Sequence, residues 1–123
     1  MRSASIPFND PKELRMIISL PGPVAAYFIA DKVDQRQVAN CFTEDATVED
    51  EGRTHKGRAA IEQWKKASSA RYEYTSEPFA SEQDGDMIVV LSRLAGNFPG
   101  SPLDLRYFFE LKGDKIASLE IRL

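Results

Sequence analysis

Phe42-Thr43-Glu44-Asp45-Ala46-Thr47-Val48-Glu49-Asp50 decides the fold. Phe42 closes a helical stretch, and from Ala46 onward the pattern alternates. Ala46, Val48 and Asp50 fall on one face of a strand, Thr47 and Glu49 on the other. The face with Ala46 and Val48 is apolar, so Asp50 is expected to point inward beside them. An unpaired buried carboxylate is costly, and one kept in place is a candidate for proton transfer.

The neighbouring segments extend the reading. Upstream, Pro21-Gly22-Pro23 starts a helix whose Val24, Tyr27 and Phe28, with Ala30 or Asp31, recur at helical spacing, so Tyr27 and Phe28 should face inward. Asp34 is the expected N-cap of a second helix, with Gln37 three residues on and Val38, Cys41 and Phe42 as its buried stripe. Downstream, Glu51-Gly52 turns the chain into a short partner strand, Thr54-His55-Lys56. Gly57 opens a third helix with an expected buried stripe of Ala60, Ile61, Trp64 and Ala67, and with Lys65 and Lys66 snorkelling at its edge.

The remainder reads as sheet. Arg71 to Phe79 alternates, with Tyr72 and Tyr74 on one face. Asp84-Gly85 signals a hairpin turn. Met87 to Phe98 reads as a long strand, and Pro99-Gly100-Ser101-Pro102 turns the chain. Leu103, Leu105, Tyr107, Phe109 and Leu111 form one apolar face. Lys112-Gly113-Asp114-Lys115 is the last hairpin, before a strand with Leu119, Ile121 and Leu123 on one face. A helical half followed by a meander of strands predicts an α+β domain over residues 21–123. Residues 1–20 read as a polar arm with a short helix from Asp10-Pro11, striped by Leu14, Ile17 and Ile18.

Phe42-x-x-Asp45-Ala46-Thr47-Val48-Glu49-Asp50, after a helix with Tyr27-Phe28 and before Gly57-Arg58-Ala59-Ala60-Ile61-Glu62-Gln63-Trp64, resembles the SnoaL-like branch of the nuclear-transport-factor-2-like superfamily. That branch includes polyketide cyclases and ketosteroid isomerases. The resemblance covers roughly residues 21–123. It implies a cone-shaped α+β barrel, with three helices packed on a curved antiparallel sheet that encloses a pocket. In the ketosteroid isomerases the aspartate ending this strand is the general base, and Asp50 falls on that position. Two donors there stabilise an enolate oxygen. One is a tyrosine of the first helix; an ungapped alignment from Phe42 puts Ala26 there, with Tyr27 adjacent. The other is a protonated aspartate on the penultimate strand. Tyr107 holds the inward position and Asp104 faces out. The resemblance thus makes Asp50, Tyr27 and Tyr107 the candidate catalytic residues. Phe28, Phe42, Val48, Trp64, Tyr72 and Phe109 are the candidate ligand-binding residues. No cofactor is implied.

Composition narrows the partners. At 123 residues with a net charge of −3, the chain suits one domain. It has no basic patch for nucleic acid, and its longest apolar run, Met87 to Leu91, is too short to span a bilayer. The single cysteine, Cys41, excludes an internal disulfide and reads as a small core residue. His55 reads as an exposed loop histidine. One histidine and one cysteine supply no zinc set, so no metal is expected. A cytoplasmic location is the default. Ile88, Val90 and Phe108 are expected on the outer face of the sheet, where members of the superfamily pair as homodimers. Two functions remain open. One is a cofactor-free isomerase, cyclase or dehydratase acting next to a carbonyl of a small apolar ketone or polyketide-like compound. The other is a non-catalytic ligand-binding or dimerisation module.

Overall fold

A computed structural model of the chain describes residues 20–123. The arm and short helix expected before Leu20 lie outside the described residues. Helix α1 spans Gly22–Val33, with a proline in its first turn and Val24, Tyr27, Phe28 and Ala30 buried. Proline is tolerated there because the first helical amides have no intrahelical acceptor. Asp34 caps the next segment, its side chain accepting from the Arg36 amide. That segment, Gln35–Cys41, is a 3-10 helix, where a regular helix was expected. It has seven residues between a cap and a strand, and 3-10 geometry suits short pieces. Val38 and Phe42 are buried as anticipated, whereas Cys41 is only half-buried.

Helix α2 spans Arg58–Arg71. Gly57 precedes it at φ 89°, a left-handed backbone open chiefly to glycine, and its amide donates to Ala46 O at 2.8 Å. The helix thereby starts against β1. Its inward face is Ile61, Trp64 and Lys65. The expected stripe is rotated: Ala67 is exposed, Ala60 is half-buried, and Lys65 is 4% exposed where it was expected to snorkel. Ile61 and Trp64 fix the helix. The positions flanking them at helical spacing toward the sheet are then 65 and 68, not 60 and 67.

Six strands form one sheet in the order β2-β1-β6-β5-β4-β3. They are β1 Phe42–Asp50, β2 Arg53–Lys56, β3 Tyr74–Asp84, β4 Met87–Gly96, β5 Leu103–Lys112 and β6 Lys115–Arg122. The α+β class and the helices packed on one face agree with expectation, but the sheet is mixed and does not close. β1 runs parallel to β6, and the other pairs are antiparallel. Irregularities between Phe42 and Thr47, Pro78 and Ala80, and Glu110 and Leu111 interrupt the ladders. Such bulges bend and twist a sheet, here around the helices.

The faces of β4 differ from the expected assignment. Ile88 pairs with Phe109, Val90 with Tyr107 and Ser92 with Leu105. Residues opposite one another share a face, so Ile88 and Val90 point toward the helices, and Val90 is fully buried. The outer face holds Met87, Val89 and Leu91, with Val89 opposite Phe108. The apolar run Met87–Leu91 suits either face, and only the β4–β5 register decides it.

The core is an aromatic cluster between α1 and the sheet. Tyr27 lies edge-on to Phe28, Phe42 and Phe109, at 5.1, 6.1 and 5.5 Å between ring centroids. Phe28 meets Tyr107 at 5.2 Å. Edge-to-face pairs set the ring quadrupoles favourably in addition to burying area. At the sheet's far side Gly96 permits a close approach. A Cβ there would stand 2.1 Å from Glu73 O and 2.7 Å from Tyr74 Cα. This contact, with Asn97 Oδ1 accepting from the Glu73 amide at 2.9 Å, fixes where β3 begins and hence where Tyr74 stands.

Candidate functional site

Asp50 ends β1 on the same face as the buried Ala46 and Val48, and is itself half-buried. Its Oδ2 accepts a hydrogen bond from Trp64 Nε1 at 3.0 Å. Trp64 sits on the inward face of α2, which Gly57 anchors to β1, so the bond follows from how that helix starts. The indole also lies beside His55, at 6.1 Å between ring centroids. His55 was expected to be exposed in a loop. It lies on β2 opposite Val48, half-buried against Trp64.

Asp50 borders a cavity of about 610 Å³ between α1, α2 and the sheet. That is within the size range of small-molecule sites. Leu94, Phe98, Leu103, Leu105 and Ile121 supply apolar wall. Tyr27, Lys65, Tyr72, Tyr74 and Tyr107, each of which carries a polar group, also line it. Gly52, Arg71 and Leu123 are exposed and stand at its mouth. Among the described residues no group of three or more His, Cys, Asp or Glu side chains could hold a metal ion.

Burial raises the Tyr27 hydroxyl well above the ordinary tyrosine range, helped by the charge on Asp31, by Tyr107 and Tyr74, and by Asp50. Burial also drives Tyr107 far upward; Ser76 beside its hydroxyl opposes this, while Asp31, Tyr74 and Asp50 add to it. Both tyrosines therefore keep their protons at neutral pH and can donate. That the Asp50 carboxylate acts on Tyr27, Tyr74 and Tyr107 alike puts the four groups in one electrostatic neighbourhood.

Deeper in the same wall is an ion pair. Lys65 Nζ donates to Asp31 Oδ1 at 2.7 Å and to Tyr74 Oη at 3.1 Å. Both charged side chains are nearly inaccessible, at 5% and 6% exposed. Three rings surround the ammonium: Trp64 at 4.8 Å, Tyr74 at 5.7 Å and Tyr27 at 5.8 Å to the centroids. Burial alone would lower the Lys65 pKa. Asp31 and Tyr74 outweigh it and leave the pKa raised, so the group is cationic.

Of the candidate residues, Asp50, Tyr27, Tyr72 and Tyr107 border the cavity. Phe28, Phe42, Val48 and Phe109 are packed in the core and do not border it. Trp64 is 7% exposed and reaches the cavity only through its hydrogen bond to Asp50. The sequence reading missed Lys65, Asp31 and Tyr74. One signal was present: Asp31 shares the helical spacing of Val24, Tyr27 and Phe28, and an acid on an inward stripe calls for a cation.

The model of the SnoaL-like domain matches residues 25–119. A candidate polyketide cyclase from Sinorhizobium meliloti is 42% identical, with a TM-score of 0.81 over 88% of this chain and 98% of that one. A protein from Catenulispora acidiphila with a ketosteroid isomerase-like fold, solved with trimethylamine, is 22% identical. Its TM-score is 0.76 over 85% of this chain and 87% of that one. The epoxide hydrolase/cyclase-like enzyme SalBIII, of pyran ring formation in salinomycin, is 24% identical at a TM-score of 0.68, covering 94% and 93% of the two chains. No curated protein matches the chain. With the family model spanning most of its length and the S. meliloti protein similar over nearly all of it, the chain belongs to the SnoaL-like family.

Proposed function

We propose that the protein is a cofactor-free isomerase or cyclase that moves a proton next to a carbonyl of a small apolar, polyketide-like substrate. The observation that carries this reading is that Asp50 lines the same cavity as Tyr27 and Tyr107, whose hydroxyls stay protonated. Asp50 is the base, and Trp64 orients it by holding Oδ2. The carbonyl oxygen that gains charge as the proton leaves is met by hydroxyl donors in a partly dry site, where such bonds are strongest. The naming of the S. meliloti relative supports the substrate class. We place the protein in the cytoplasm as a homodimer through the outer sheet face, with Val89, Leu91 and Phe108 at the contact.

The test is deuterium exchange next to the carbonyl of small cyclic ketones and beta-diketones, followed by NMR in heavy water. Exchange above the buffer rate that Asp50→Asn abolishes is expected. A second reading, a binding module without catalysis, draws on the Trp64 bond itself, since an indole N–H can satisfy a carboxylate kept only for structure. Binding of these compounds with no exchange selects that reading.

A further inference from the structure

We propose that Arg71 makes the mouth of the cavity a carboxylate-binding subsite, so that the substrate is an apolar ketone carrying an acid tail. The inference rests on the cavity being the substrate site and names a second group by which a substrate is recognised there.

Three observations support it. The first is pairing. The cationic side chains that line the cavity are Lys65, Arg71 and Arg122. Lys65 is paired with Asp31 at 2.7 Å, and Arg122 is held by both oxygens of Glu120, at 2.8 and 3.0 Å. Arg71 has no ion-pair partner among the described residues. Glu51 acts on its charge from the same mouth, but it is exposed to screening by water. The backbone oxygen of Leu123, also at the mouth, accepts from Arg106 at 2.8 Å.

The second is how the guanidinium is held. It lies over the Tyr72 ring, 5.2 Å from the centroid, and that ring meets Phe98 edge-on at 6.1 Å. Tyr72 and Phe98 both line the cavity. A guanidinium laid on an aromatic face has already given up much of its freedom, and its planar fork matches the two oxygens of a carboxylate.

The third is placement. Lys65, Ser68 and Arg71 recur at helical spacing on one face of α2, and all three line the cavity. Exposure rises along them: Lys65 is buried, Ser68 half-buried and Arg71 exposed. That face therefore runs from the depth of the cavity to its mouth. Trp64, whose Nε1 holds Asp50, stands beside Lys65 at the buried end. From Trp64 to Arg71 the helix rises about 10 Å. A ketone that reacts at Asp50 would carry its carboxylate at about that separation, with the apolar part of the molecule between the two groups.

The probes are straight-chain carboxylic acids of graded length with a terminal phenyl group, and their primary amides. The two series share an apolar body and differ in charge. Neither contains a ketone, so binding, followed by calorimetry at neutral pH, does not depend on proton transfer by Asp50. The wild type is expected to bind the longer acids roughly two- to fivefold more tightly than their amides. That preference should shrink in concentrated salt. Arg71→Gln should remove it without changing amide binding, Arg71→Lys should restore part of it, and Arg122→Gln should retain it. The proposal is overturned if acids and amides bind alike, if neither binds, if the preference survives in Arg71→Gln, or if Arg122→Gln abolishes it. It is also overturned if Arg71→Gln lowers only the melting temperature, the result for an arginine that merely complements the end of its helix. Acid preference without deuterium exchange on ketones sinks the proton-transfer reading alone, and exchange without acid preference sinks this subsite alone.

Discussion

The indole of Trp64 and the carboxylate of Asp50 meet at 3.0 Å, with Nε1–H donating to Oδ2. The bond joins the end of β1 to the middle of α2, and it leaves the second carboxylate oxygen without a hydrogen-bond partner among the described residues.

Asp50→Asn retains an oxygen that can accept from Trp64 and removes the base. Turnover of any exchangeable ketone should fall by roughly 10²–10⁴. Unfolding free energy should change by less than about 1 kcal/mol, because the hydrogen bond survives. Asp50→Ala should instead cost about 1–3 kcal/mol, since the indole N–H is left unpaired. Denaturant titration of both variants checks the difference. A large loss in the asparagine variant would mean that the charge itself holds the fold.

Trp64 has a second part in the structure. At 7% exposure it packs among Ile61, His55 and the Lys65 ammonium. Trp64→Ala should destabilise the fold by roughly 3–5 kcal/mol. Trp64→Phe keeps most of the packing but loses the N–H, so its cost should lie near 1–2 kcal/mol. A loss under about 1 kcal/mol for the alanine variant would contradict the packing of α2.

Lys65→Met strands the Asp31 carboxylate in the interior and should cost about 3–5 kcal/mol. Adding Asp31→Asn should recover much of it. The pH dependence follows from protons held more tightly in the folded chain. Lys65, Tyr74 and Tyr27 all have raised values, against ordinary values of 10.5 for lysine and 10.0 for tyrosine. Their contribution is complete below those ordinary values and is lost as pH rises through the higher folded ones. The wild type should thus lose stability steeply above pH 10.0, the ordinary tyrosine value. The double variant should lose it less steeply, as urea midpoints across alkaline buffers will show.

On the outer sheet face, Val89 lies opposite Phe108 and Leu91 opposite Arg106. The combination Val89→Lys and Leu91→Lys should convert a dimer to a monomer in sedimentation or light scattering, with the fold intact by circular dichroism. A wild type that is monomeric at high micromolar concentration would remove the basis for this contact.

These expectations show what the sequence reveals and what it hides. The alternation of Ala46, Val48 and Asp50 places the carboxylate correctly because one strand face is enough to define a period of two. Tyr27, Phe28, Tyr107 and Phe109 were legible as inward for the same kind of local reason. Lys65 was not. A lysine beside a tryptophan on a helix is normally solvated, and only Asp31 and Tyr74, on other elements, make its burial tolerable. Pairing between distant residues leaves no local pattern. Ile88 and Val90 were misassigned because a continuous apolar run has no parity of its own. The parallel β1–β6 pairing was invisible for the first reason again: nothing near Phe42 announces a partner at Ile116.

That pairing also bears on how the chain assembles on the ribosome. β6, the last of the six described strands in sequence, lies between β1 and β5, in the middle of the sheet. Until Lys115–Arg122 emerges, the β2–β1 pair made early in synthesis has no partner along one edge, and the β5–β4–β3 meander has none along the other. Both exposed edges are templates for pairing with other chains. Nascent protein should therefore be prone to aggregate just before β6 is available, and slow translation through that region would lengthen the exposure.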